Sequence, residues 1–222
     1  MADSYAALHS TFRWQVPADF NIGEACCARW ARETPDAIAI RHEHEDGTRR
    51  TCSWRQLQAR SRRLAAALQR LGVRRGDRVA IVMAQRIETA VAHMALHQLG
   101  AVAMPLSVLF GPEALEFRLQ HSEAGVAIGD EASIAALRAV RPQCPALRCI
   151  VAAGAAAGQG DVDWDVLLQQ DDGGFVPVTT QAADPAILIY TSGTTGPPKG
   201  ALLPHRALIG NLPGFVLSLI HI

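Results

Sequence analysis

Between Tyr190 and Gly200 the sequence reads Tyr-Thr-Ser-Gly-Thr-Thr-Gly-Pro-Pro-Lys-Gly, a run that brings hydroxyls, glycines and one amine together. Thr191, Ser192, Thr194 and Thr195 supply the hydroxyls. Gly193, Gly196 and Gly200 let the backbone turn and approach a ligand closely. N–H groups and hydroxyls converging in this way make a nest for anionic oxygens, and a polyphosphate suits such a nest. Pro197 and Pro198 stiffen the exit and position Lys199, a compact charge that neutralises phosphate without bidentate geometry. This is not the G-x-x-x-x-G-K-[ST] loop, because Lys199 lies three residues after Gly196 and is followed by glycine.

Other reactive residue types carry less. His205 is a catalytic candidate by type, but the preferred reading is a loop histidine capping the helix that follows. His42 and His44 alternate with Glu43 and Glu45 before Asp46-Gly47, which reads as a solvated hairpin end and not as a metal patch. Cys26, Cys27, Cys52, Cys144 and Cys149 form no Cys-x-x-Cys pair and have no histidines at metal spacing, so they read as reduced thiols. No metal ligand is assigned.

The elements that must position the loop follow from hydrophobic periodicity. Ile22 to Arg32 has helical spacing after the cap candidate Asn21, and Thr34-Pro35-Asp36 stops it. Residues 37–40 and 50–52 read as the strands of a hairpin. Ser53 with Gln56 is a capping-box pattern, followed by Leu57, Leu64, Leu68 and Leu71 on one helical face. Arg78 to Met83 is a short unalternated apolar run, as strands covered on both faces show.

The pattern then repeats. A helix over 88–99 leads through Gly100 to a strand at 101–104, a helix over 112–122 leads through Gly125 to 126–128, and a helix over 131–140 leads to 147–151. Such alternation predicts an α/β fold with a mainly parallel sheet and helices on both faces. Residues 152–160 are rich in alanine and glycine and read as a surface loop tolerant of insertion. A short helix around Trp164 to Leu168 and a turn at Asp171–Gly174 precede a buried strand, 186–190, that delivers the chain into the Thr/Gly loop.

Composition excludes several classes. The 222 residues carry 21 basic and 21 acidic side chains, with 49% apolar and 19% charged residues, which argues against disorder and against a nucleic-acid partner. Residues 1–10 include Asp3, have no basic start and reach no apolar run of signal-peptide length. The longest apolar stretch, 101–110, falls far short of the ~20 residues a membrane span needs. The expectation is a cytoplasmic protein without a transmembrane segment.

The order of the loop, issuing from an apolar strand, resembles the signature of the adenylate-forming (AMP-binding) superfamily of acyl-CoA synthetases, luciferase-like enzymes and peptide-synthetase adenylation domains. Trp54-Arg-Gln-Leu-Gln, the segment from Gly72 to Ile81, and Gly100-Ala-Val-Ala-Met-Pro-Leu resemble further family segments. The wording from Pro197 to Gly214 looks most like the acetyl- and medium-chain acyl-CoA synthetase branch. The resemblance implies that a carboxylic acid attacks ATP to give acyl-AMP and pyrophosphate, and that the acyl group then passes to coenzyme A.

It implies ATP, Mg²⁺ and coenzyme A as cofactors or substrates, with Thr191, Ser192, Gly193, Thr194, Thr195, Gly196 and Lys199 at the phosphates. Catalytic residues are not assigned. The later family elements are absent from these 222 residues: the aromatic-Gly-x-Thr-Glu segment, the ribose-binding aspartate, the hinge and the mobile carboxy-terminal domain with its lysine. The chain alone is therefore expected not to turn over. Two alternatives remain, an adenylation domain that loads a carrier protein and a non-catalytic nucleotide-binding fragment.

The expected organisation is an amino-terminal extension over 1–20, a partial adenylate-forming domain over 21–216 and a non-native tail over 217–222. One frame of a common sequencing-library adaptor encodes that last segment, Leu217-Ser-Leu-Ile-His-Ile222.

Overall fold

The computed structural model describes residues 9–44, 46–191 and 197–212. The expected tail at 217–222, residues 1–8 of the expected extension, and Ser192, Gly193, Thr194, Thr195 and Gly196 lie outside the described residues.

Near its start the chain is capped by Asn21, whose Oδ1 accepts from the N–H groups of Gly23 at 2.8 Å and Glu24 at 3.3 Å. A π-helical turn, Glu24–Ala28, and then helix α1, Arg29–Glu33, follow. The expected single helix is thus wider in its first half, where the Arg29 N–H reaches back to the Glu24 carbonyl. Strands β1, Ile38–Glu43, and β2, Arg49–Ser53, pair antiparallel and run longer than expected, since His42 and Glu43 sit opposite Arg50 and Arg49. Gly47, at φ +80°, makes the turn beyond them.

Ser53 caps helix α2, Trp54–Arg70, through the reciprocal bonds of a capping box: its Oγ accepts from the Gln56 N–H at 3.2 Å, and the Gln56 Oε1 accepts from the Ser53 N–H at 3.0 Å. The remaining elements are β3 (Arg78–Val82), α3 (Ile87–Leu99), β4 (Val102–Pro105), α4 (Pro112–Ser122), β5 (Val126–Gly129), α5 (Ile134–Val140), β6 (Cys149–Ala152), β7 (Val162–Asp163), α6 (Trp164–Gln169), β8 (Pro185–Thr191) and β9 (Lys199–Pro204).

The last seven strands form one sheet in the order β7-β6-β5-β3-β4-β8-β9, parallel throughout except for the antiparallel β8–β9 pair. Alternation along the strands divides the core between the two faces. Val79, Ile81, Val126, Ile128 and Val151 pack under α2 and α3, against Leu64, Leu68, Val91 and Leu96. Ala80, Val82, Ala127, Ile150 and Ala152 pack under α4 and α5, against Leu115, Leu119, Ile134 and Leu137. The continuous apolar runs are thus doubly covered parallel strands, as expected.

Three expectations are corrected. The helix before β6 begins at Ile134 and not at residue 131, because the Asp130 carbonyl and carboxylate engage the N–H groups of Ala132, Ser133 and Ile134 in a preceding turn. The chain turns out of α4 at Glu123, at φ 51°, and passes through Gly125 into β5 as expected.

The Ala/Gly segment 152–160 is not a loose surface loop. Ala153 and Ala156 are fully buried, and a side chain at Gly160 would strike the Ile150 carbonyl oxygen at 2.6 Å. Small residues specify packing here by permitting close approach. Finally, β8 is covered on one face only, where Ala186 and Leu188 are buried, and its partner β9 is a strand that hydrophobic periodicity does not predict.

Candidate functional site

The strand pair β8–β9 holds the base of the Thr/Gly loop. In register, Thr191 lies opposite Lys199, Tyr190 opposite Gly200 and Ile189 opposite Ala201. The backbone pairing thus brings Thr191 and Lys199, eight positions apart in the chain, side by side at the end of the two strands. Both side chains are exposed. Ser192, Gly193, Thr194, Thr195 and Gly196 are outside the described residues, so of the expected phosphate contacts the structure brings together Thr191 and Lys199.

Because β8 runs parallel to β4, this base lies at the carboxyl edge of the sheet, where β3 and β4 also end. The chain reverses its direction of growth between β3 and β4: α3 carries it from β3 to β4, and α4 carries it back to β5 on the other side of β3. Open α/β sheets bind ligands at such a switch point. A cavity of about 1000 Å³ opens there, lined among others by Met83, Arg86, Thr89, His93, Leu106 and Leu109.

Arg86, on the wall of that cavity, is the centre of an ionic cluster. Arg86 meets Glu88 at 3.0 Å and Glu131 at 3.1 Å, and lies 3.8 Å from the fully buried Asp130 carboxylate, which also accepts from the Ala84 N–H at 2.8 Å. Burial pushes Glu88 upward, but its own backbone N–H and the Arg86 guanidinium outweigh this and hold the carboxyl below its usual value. Burial lowers His93. The sequence pattern gives this wall little signal beyond the polar run Gln85-Arg86 immediately after an apolar strand, and it is absent from the expected site.

Tyr190 ties the loop base to α4. Its Oη is 2.7 Å from the His121 Nδ1 and 3.4 Å from the Arg118 carbonyl oxygen, both on α4. The Arg118 guanidinium stacks 4.0 Å from the Phe110 ring and 5.6 Å from the Tyr190 ring.

His205 is neither an exposed catalytic group nor a side-chain cap. Its ring is fully buried, and Nδ1 accepts the Ile22 N–H at 3.1 Å. The helix-side bond comes from its backbone, as the Leu208 N–H donates to the His205 carbonyl. His97 packs edge-on at 5.7 Å and is lowered to about 3 by burial first, with His93 and His205 adding repulsion. The five cysteines are free, and burial raises each thiol, Cys27 to about 12. Among the described residues no group of three His, Cys, Asp or Glu side chains could hold a metal ion, and no helix is long and apolar enough to cross a membrane.

Residues 27–219 match the AMP-binding enzyme family. The chain belongs to that family. It is 31% identical over 217 residues to the acetyl-coenzyme A synthetase of Cronobacter sakazakii, a match covering 90% of this chain and 33% of that protein. An uncharacterized acyl-CoA ligase of Bacillus subtilis is 31% identical over 169 residues, 75% of this chain and 31% of its own length.

Among solved structures, an anthranilate CoA ligase in complex with anthranoyl-AMP superposes with a TM-score of 0.75 at 25% identity, over 86% of this chain and 36% of that one. A Brucella canis acyl-CoA synthetase shares the fold, with a TM-score of 0.77 over 94% of this chain and 38% of its own. The chain thus spans about a third of the length of the relatives it matches.

Proposed function

We propose that this chain is the phosphate-handling part of an ATP-dependent acid:CoA ligase, which joins a carboxylate to ATP as acyl-AMP and then passes the acyl group to the thiol of coenzyme A. The observation that supports this reading most is the hairpin base, which sets Lys199 beside Thr191 at the carboxyl edge of the sheet, at the two ends of the hydroxyl-rich sequence. The family to which the chain belongs and the CoA-ligase names of its relatives agree with it.

Attack on the α-phosphate builds negative charge on departing pyrophosphate. Thr191, Ser192, Thr194 and Thr195 would offer hydroxyls, Gly193 and Gly196 would let backbone N–H groups approach, and Lys199 would neutralise the β- and γ-phosphates. Because the described residues form no metal-binding group, no residue of this chain is assigned to Mg²⁺ and no step is routed through it. Turnover would need groups outside this sequence.

Isothermal titration with ATP tests the proposal on the 222-residue chain itself. ATP should bind, AMP should bind more weakly for lack of the β- and γ-phosphates, and Lys199→Ala should weaken ATP by about tenfold or more, as loss of a charge-assisted contact does. In a longer protein containing this chain, the same substitution should slow adenylate formation more than thiol transfer. Equal binding of AMP and ATP, or no effect of Lys199→Ala, would sink it.

A further inference from the structure

We propose that Arg118 and His121 are positioning residues for the base of the phosphate loop, acting through Tyr190 to fix Thr191 and Lys199 relative to α4. Tyr190 is the last side chain on the covered face of β8 before the loop. Across the hairpin its ring lies over Gly200, the neighbour of Lys199. A Cβ at Gly200 would stand 3.5 Å from two ring carbons of Tyr190 and 3.0 Å from the Leu188 Cδ1, so the ring and Leu188 occupy the space a side chain there would need. The orientation of the Lys199 strand is thus read from the Tyr190 ring.

The ring is in turn held by α4. His121 takes its hydroxyl at 2.7 Å, and Phe117 meets both rings, at 5.6 Å from His121 and 6.5 Å from Tyr190. Arg118 is only 7% exposed and its side chain is not used for an ion pair among the described residues: one nitrogen donates to the Ala114 carbonyl at 2.7 Å, and the buried Nε has no partner. A buried guanidinium without a carboxylate is costly unless its flat faces are used, and here they meet Phe110 and Tyr190. One guanidinium therefore bridges Phe110, just ahead of α4, and the Tyr190 ring at the loop base.

The role of this anchor at a nucleotide rests on the function proposed above; the anchor itself does not, and the experiment separates the two. Hydrogen-exchange NMR on the 222-residue chain compares Tyr190→Phe, His121→Leu, Arg118→Lys and Arg118→Met with the parent. Amides of Thr191 and residues 199–201 should exchange about fivefold faster in Tyr190→Phe and His121→Leu, the loss of one hydrogen bond. Amides of β3 and β5, and the Tm, should stay unchanged.

Arg118→Lys keeps the charge but not the planar stack, and should behave like Arg118→Met. Unchanged exchange at the hairpin base, or an equal rise throughout the sheet, would overturn the anchor, the latter by making it a general packing contact. Rescue by Arg118→Lys would overturn the stacking argument. In a parallel ATP titration, the variants should lose affinity by a similar factor; if the parent binds no ATP while the local exchange still rises, the anchor stands and the nucleotide reading falls.

Discussion

The β5-β3-β4 centre of the sheet and the β8–β9 hairpin at its edge are both strand pairs of one sheet, yet the protein invests in them very differently. Val79, Ala80, Val126, Ala127 and Ala103 are completely buried between two helical layers. In the hairpin only Ala186 and Leu188 are buried, Leu202 is 52% exposed, and β8 joins β4 through the single register pair Ala103↔Ile187. The centre is a scaffold whose residues are chosen for volume. The hairpin is held to the rest of the sheet at few points. Local stability follows burial, so the site sits at the low end of the range and the scaffold at the high end.

Substitutions can break this contrast. The largest effect should come from Leu68→Ala, which empties a fully buried position on the inner face of α2 and should cost about 2–5 kcal/mol in urea unfolding. It should lower exchange protection in the centre most. A cost under about 1 kcal/mol would mean that the scaffold is not where stability resides.

Acid should act at the seam between the two regions. His205 follows β9, accepts from Ile22 and packs on His97 of α3. Burial lowers all three of His93, His97 and His205, His97 from 6.5 to about 3, while at His205 Asp184 pulls upward and Arg75 downward. With the folded value depressed, the unfolded chain binds the extra proton; stability is complete above about pH 6.5 and is lost as pH falls toward the folded value. His97 alone should remove about 2 kcal/mol by pH 5. Denaturant curves at pH 7.5 and pH 5 check this, and His97→Leu should shrink the difference. Equal stability at both pH values would contradict it.

The smallest effect should be Ser53→Ala. Loss of the capping box on α2 should cost about 1 kcal/mol, seen as a small drop in Tm, with no change in ATP affinity because the cap is remote from the hairpin. A change in ATP affinity would show that scaffold and hairpin are coupled more tightly than their packing implies.

Much of this protein is legible in short-range sequence pattern. Apolar runs and period-3.6 spacing locate the strands and helices of the parallel sheet, Ser53 and Gln56 announce their own cap, and the order of hydroxyls, glycines and lysine marks the loop, because each of these is local chemistry. What the sequence hides depends on partners far along the chain. Strand β9 is mostly exposed and shows no periodicity that distinguishes it; only pairing with β8 makes it a strand and sets Lys199 beside Thr191. The Ala/Gly run 152–160 looks unspecific because small residues say nothing alone, and they acquire meaning only where the Ile150 carbonyl lies 2.6 Å from where a Cβ would be.

His205 and Arg118 are polar residues whose environments are built by residues 183 and 72 positions away, Ile22 and Tyr190. The sequence by itself determined the layered α/β architecture and the family, since these rest on short-range pattern. The tertiary structure decided which groups meet at the carboxyl edge of the sheet, because strand order, and not chain order, sets the neighbours of a side chain there.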